Sequence, residues 1–265
     1  MRAFACASAL SLALAAAAAP APAAPQRVAS LNLCTDELLL LLAEPRQIVS
    51  VSYLSQLPEE TPLWSRARAY RRNGGSLLSV AALKPDLVLN MGGGGRDRAG
   101  IGARLGFKVL DIPYPQTLSD IEAATMRVAA ALGQENRGRA VAAAIERVRH
   151  SAPHPLRDAV YLSGGGRSLA PAGAGAEWMA AAGLRQRALP GDRVSLETLL
   201  VRPPAVLLRS SYRSGQYSAE QRWLSHPLAA RAKAGRTVAT DGRLWTCMGP
   251  LMAREIVRLR RELGR

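Results

Sequence analysis

The chain has 265 residues, 48% hydrophobic and 5% aromatic, with a formal net charge of +15 at pH 7. This suits one or two packed domains and excludes a wholly disordered chain. Lysine occurs only as Lys84, Lys108 and Lys233; the remaining basic residues are scattered arginines, and with so few aromatics they argue against a nucleic-acid surface built on stacked bases and point instead to an anionic ligand or to coding bias.

Residues 1–24 read as an export signal. Arg2 is a short basic region, residues 3–19 are apolar, and PAPAAPQR supplies small residues for cleavage near Ala24. The apolar run is short for a membrane span, and Cys6 lies too early to be a lipid-anchored cysteine. The expected mature protein is soluble and periplasmic. Removing Cys6 leaves Cys34 and Cys247, with three arrangements open in an oxidising compartment: a pair, two buried thiols, or thiols beside a ligand.

In the first block, residues 27–33 form a short apolar strand pattern. Thr35 and Asp36 can cap the following helix, Glu37 suits its first turn, and five consecutive leucines predict burial on most sides. Residues 47–52 form a second strand, and residues 53–75 a polar, irregular stretch with Tyr53, Trp64, Tyr70, Arg71 and Arg72. A short helix over 76–83 leads into strands at 87–91 and 108–112, separated by four glycines and a helix. This β-α-β-α order predicts a parallel sheet with right-handed crossovers.

Residues 119–149 read as one long helix joining two lobes, with Ser119 and Glu122 as its capping box. After Pro153 and Pro155 a second βα block follows. Strands are expected at 159–163, 205–209 and 237–240, and helices at 178–182, after Ser195, at 223–234 and at 252–263. The organisation is therefore signal peptide 1–24, first lobe 25–118, helical segment 119–150 and second lobe 151–265. Ligands in open α/β sheets bind at the carboxyl ends of the strands, which places Tyr53, Tyr212, Tyr217 and Trp245 near a site, alongside Trp64 and Tyr70.

Catalytic signatures are missing. Neither GxxxxGK[ST] nor GxSxG occurs, the glycines at 92–95 lack the spacing of a dinucleotide loop, and no HExxH or CxxC predicts a metal site. Histidine is limited to His150, His154 and His226, which disfavours acid–base chemistry near neutral pH. Aromatic faces, arginines and glycines remain, the materials of a binding cleft. Two other readings stay open: an exported two-domain α/β enzyme with a cleft nucleotide or metabolite site, and an exported module that binds a partner protein.

The segments RVASLNLCTDELLLLL, ALKPDLVLN and LGFKVLDIPYPQTLSDIEAATMRVAAALG resemble the periplasmic binding proteins of cobalamin and ferric-siderophore ABC importers. VSLETLLVRPPAVLL is the second-lobe counterpart of ALKPDLV, and DGRLWTCMGP resembles a feature of one bacterial subgroup. The resemblance spans nearly all of the mature chain. It implies two Rossmann-like lobes with parallel sheets, joined by one long interdomain helix and opening only slightly. It also implies no enzymatic turnover and no cofactor. The protein would act as a monomer, passing a corrinoid or iron chelate (cobalamin, ferric siderophore or haem) to a permease in the inner membrane. Carried residue by residue, it assigns ligand contacts to Asn32, Tyr53, Met91, Gly92, Gly164, Tyr212 and Trp245 and permease docking to Glu197. The expected first-lobe docking acid falls at Leu78, and Arg71, Arg72, Arg209 and Arg213 are candidates for an anionic ligand.

Overall fold

Two parallel sheets organise the chain in a computed structural model that describes residues 24–93, 95–212 and 235–264. The first lobe carries β1 (Val28–Ser30), β2 (Ile48–Ser52), β3 (Arg71–Asn73), β4 (Leu87–Met91) and β5 (Lys108–Ile112), in the order β3-β2-β1-β4-β5. Its helices are α1 (Leu33–Leu42), α2 (Trp64–Ala67), α3 (Leu77–Ala81) and α4 (Gly95–Arg104). Side chains alternate across the sheet. Val28, Leu87 and Leu89 face a cluster with Leu38, Leu39, Leu40 and Leu42 of α1. Ala29 and Val88 face Leu77 and Val80 of α3.

The segment joining the lobes is helical but is not one helix. It is a hairpin of α5 (Leu118–Leu132) and α6 (Glu135–His150). Gly133 takes a left-handed φ of 68°, and its N–H, with that of Gln134, closes on the carbonyl of Ala129. The helical pattern resumes after that turn, so apolar periodicity alone reads as continuous. The start also differs from expectation: Thr117 and Asp120 form the capping box, not Ser119 and Glu122. Both helices serve both lobes. Leu118 and Ile121 of α5, with Ile145 and Val148 of α6, lie in the second-lobe core. Ala124, Val128, Ala129 and Leu132 lie in the first-lobe core, where Val141 of α6 also packs.

Close approach of the two helices requires Gly138. A Cβ there would lie 2.4 Å from Cβ of Ala129. Gly138→Ala gains about 1 kcal/mol of helix propensity. That gain is outweighed by overpacking of about 1–3 kcal/mol. The expected result is a lower melting temperature; an unchanged or higher value would show that the two helices separate readily enough to admit a methyl group there.

The second lobe carries β6 (Arg157–Leu162), β7 (Leu184–Gln186), β8 (Val206–Ser210) and β9 (Arg236–Thr240), in the order β7-β6-β8-β9, all parallel. Its described helices are α7 (Ala174–Ala181), α8 (Leu196–Val201), α9 (Leu244–Cys247) and α10 (Met252–Leu263). Tyr161, Val206 and Leu208 face Trp178 and α10, while Val160, Leu162 and Leu207 face Leu199 of α8. Two strands, β3 and β7, extend the expected set. The export signal before residue 24, the helix expected at 223–234, Tyr217 and Arg213 lie outside the described residues.

Candidate ligand site at the lobe seam

Besides the α5–α6 hairpin, one short stretch, residues 241–251, ties the lobes together. It is fixed first to its own lobe. The Asp241 N–H donates to Oε1 of Glu255 at 3.2 Å, the Trp245 indole to Oγ1 of Thr240 at 2.8 Å, and the Trp178 indole to the Met248 carbonyl at 2.8 Å. Glu255 is buried. Burial works to raise its pKa, but the Arg258 guanidinium and the Thr240 hydroxyl hold it below the usual carboxylate range. Arg243 pairs with Asp241.

From this anchored stretch, contacts run across the first lobe. Arg243 donates to the Pro58 carbonyl at 2.8 Å. The Tyr114 hydroxyl donates to the Thr246 carbonyl at 3.3 Å. Cys247 forms a disulfide with Cys34 of α1, their Cα atoms 5.2 Å apart. The Leu251 N–H donates to Oε1 of Glu37 at 3.0 Å, and a Cβ at Gly249 would lie 2.5 Å from that same oxygen, so only glycine lets the two lobes meet there. Next to this stretch, the Tyr212 hydroxyl donates to Oε2 of Glu60 at 2.8 Å. The space enclosed beside the disulfide, between Met91, Pro115, Ile121, Ala124 and Pro250, is only about 10 Å³, so the seam is packed.

Two neighbouring carboxyls lie under the seam. Asp36 accepts from the Ser52 N–H at 3.1 Å and from its hydroxyl, and burial pushes its pKa up to about 7 against the Ser30 and Ser52 hydroxyls. Burial likewise pushes Glu37 up to about 7 against the Leu251 N–H.

The residues expected to line a ligand site are divided. Tyr53 follows β2 and is 49% exposed. Gly92 follows β4 with φ 99°, and a Cβ on it would meet the Tyr114 ring at 3.8 Å. Gly164 opens a short turn after β6. These three stand at the carboxyl ends of strands in the two sheets. Met91 is partly buried in the seam lining. Asn32 is occupied as the N-cap of α1, accepting from the Thr35 N–H, and it ties α1 to β4 by donating to the Met91 carbonyl at 3.1 Å. Tyr212 belongs to the bridge with Glu60.

Trp245 requires a correction: it is 4% exposed, stacked 4.9 Å from Tyr161 and bonded to Thr240, and so is a core residue and not a cleft wall. A residue just past a strand end projects into a cleft only when the chain continues outward; here it turns directly into α9. The expected cap at Thr35 and Asp36 also shifts to Asn32, which leaves Asp36 for Ser52. Arg71, Arg72 and Arg209 are exposed on their strands, Trp64 lies under Arg68, and Tyr70 packs on the first-lobe core. Glu197 is exposed in the first turn of α8, two residues after the Ser195 cap. Leu78, 76% exposed, holds the same place after the Ser76 cap of α3.

Sequence reasoning missed Glu60, Arg243, Tyr114 and Arg98. Arg98 of α4 donates to Oδ1 of Asn90 at 2.8 Å, and the Asn90 amide in turn donates to Asp111. No local pattern marks Glu60, Arg243 and Tyr114, because their contacts across the seam are with partners distant in sequence, and Arg98 reaches Asn90 only because α4 folds back over the end of β4.

The profile described as "Periplasmic binding protein" matches residues 28–238, through both lobes, and the chain belongs to that family. Among solved structures, the periplasmic heme-binding protein HutB of Vibrio cholerae is similar at TM-score 0.69 and 17% identity, covering 91% of this chain and 99% of that one. The periplasmic heme-binding protein RhuT from Roseiflexus sp. RS-1 is similar at TM-score 0.66 and 21% identity, covering 89% and 96%. The periplasmic vitamin B12-binding protein BtuF of Vibrio cholerae is similar at TM-score 0.63 and 20% identity, covering 91% and 97%. At such identities the likeness is one of fold. No curated protein matches the chain.

Proposed function

We propose that the chain is the solute-binding component of an ABC importer, exported with removal of its first two dozen residues. It holds a corrinoid or iron chelate between the lobes and passes it to an inner-membrane permease as a monomer. The observation that carries this reading is the family match running through both lobes. The similar proteins named for heme or vitamin B12 support a large metal-bearing macrocycle. Tyr53, Gly92 and Gly164 are the contacts best placed at exposed strand ends, and Tyr53 offers a phenol, a group able to ligate haem iron.

Glu197 is the acid offered to the permease. The backbone N–H groups at the start of α8 and the Ser195 hydroxyl hold its pKa below the usual range, so it stays ionised. Leu78 makes the first-lobe contact apolar.

The deciding experiment titrates the mature protein with hemin and with cyanocobalamin, following melting temperature and visible absorbance. A ligand held at a hundred times its Kd adds about 2.7 kcal/mol by mass action. One of the two is expected to do so. If hemin binds, Tyr53→Phe is expected to lose the ligand-specific absorbance shift. Response to neither probe would remove the macrocycle reading.

A further inference from the structure

The contacts between the lobes follow the first lobe from Pro58 through α1 to Tyr114, and the disulfide lies among them. On either side of it stand hydrogen bonds, each worth about 1 kcal/mol net. A covalent link among such bonds changes what motions are allowed: while it is intact, α1 and α9 cannot part, whatever happens to the hydrogen bonds beside it. Its two sulfurs are unequal. Cys247 is 9% exposed, whereas Cys34 is more open and lies in the first turn of α1, where a thiolate is stabilised by the helix N-terminus.

We propose that the Cys34–Cys247 bond is a redox-controlled latch that holds the lobes together at the seam between α1 and α9, and that a dithiol reductant opens it and speeds ligand release. A thiolate of the dithiol attacks Sγ of Cys34 and breaks the S–S bond, expelling the Cys247 thiolate, which takes a proton. The second thiol of the reductant then attacks its own sulfur in the mixed disulfide and expels the Cys34 thiolate, which is protonated in turn. Two electrons and two protons pass from the dithiol, which ends as a disulfide, to the two cysteines. Among the described residues the seam keeps the Glu37, Tyr114, Arg243 and Tyr212 hydrogen bonds.

The release clause rests on the proposed function; the latch itself does not, and the test separates them. Hydrogen–deuterium exchange is measured on the ligand-free full chain before and after dithiothreitol, with thiols counted in parallel. Reduction is expected to speed exchange of residues 34–38 and 246–252 about tenfold relative to β1 and β8. A seam losing no more protection than those strands overturns the latch, and a bond that dithiothreitol leaves intact in the folded protein overturns redox control. The double variant Cys34→Ala/Cys247→Ala is expected to repeat the reduced pattern; should it not fold, the reduced wild-type chain still decides. In a second arm, hemin-loaded protein is mixed with a haem acceptor, and release is expected to be about fivefold faster after reduction. An equal rate overturns the release clause. Where cyanocobalamin binds in place of hemin, its release to an acceptor is timed in the same way; failure of both probes to bind overturns the ligand reading and the release clause with it and leaves the exchange result standing.

Discussion

Cys34→Ala/Cys247→Ala is expected to lose about 5 kcal/mol of stability, read as a lower urea midpoint than the oxidised wild-type chain. The bridge closes a loop with a sequence separation of 213. In the chain-entropy account, a crosslink over so long a loop removes a large share of the unfolded chain's freedom. A protein of this size has roughly 5–15 kcal/mol in all, so the loss is a third or more of the total. The slope of unfolding against urea should rise as well, since an uncrosslinked chain exposes more surface. The lobes should also uncouple: without the bridge, the two cores are held to each other among the described residues by the shared helices α5 and α6 and a few hydrogen bonds. A midpoint within about 1 kcal/mol of wild type would mean that the bond does not form in the exported protein or that the reduced chain is already as compact.

Much of this architecture is legible in the sequence, for an identifiable reason. Central strands of parallel sheets are buried on both faces and read as apolar runs, so β4 and β8 stand out as LVLNM and VLLRS. The two strands without a sequence signal, β3 (Arg71–Asn73) and β7 (Leu184–Gln186), are both three-residue sheet edges in which polar side chains predominate, RRN and LRQ. Polar, short edges are how sheets resist further pairing, and those features remove the strand signal. The hairpin was readable in part: Gly133 is visible as a break, but only its left-handed φ turns a break into a reversal. The candidate site is less legible still. Glu37 reads as a first-turn acid suited to a helix dipole, yet its partner is the Leu251 N–H, 214 positions away. Trp245 reads as a cleft aromatic because of where its strand ends, but its surroundings, Tyr161 and Thr240, are set by tertiary packing. Local pattern gives elements and their order, whereas a seam between lobes is made of pairs that no window contains.

The buried pair Asp36 and Glu37 predicts that stability falls as pH rises from about 4.5 to 7. The sign follows from proton counts. Below the ordinary carboxylate values of 3.8 and 4.5, both states hold the protons and nothing is lost. Between those values and about 7 the unfolded chain releases its protons while the native chain keeps them, so the native state binds more protons and stability declines with pH. Above about 7 both states are ionised and the full penalty stands, on the order of 3 kcal/mol for Glu37 alone. The groups held below their usual values, among them Glu255 and Asp241, act in the opposite sense and at lower pH, so they do not mask this window. Glu37→Gln keeps an acceptor for the Leu251 N–H and cannot ionise. At pH 5 it is expected to be no better than wild type, since the added amide must find partners in a packed site. From pH 5 to pH 8 it should lose about 3 kcal/mol less than wild type, leaving the slope due to Asp36. Urea unfolding of both proteins at several pH values measures this directly. A wild-type profile that is flat across the window, or a Glu37→Gln profile parallel to it, would show that Glu37 titrates as a hydrated carboxylate and that the seam is open to water.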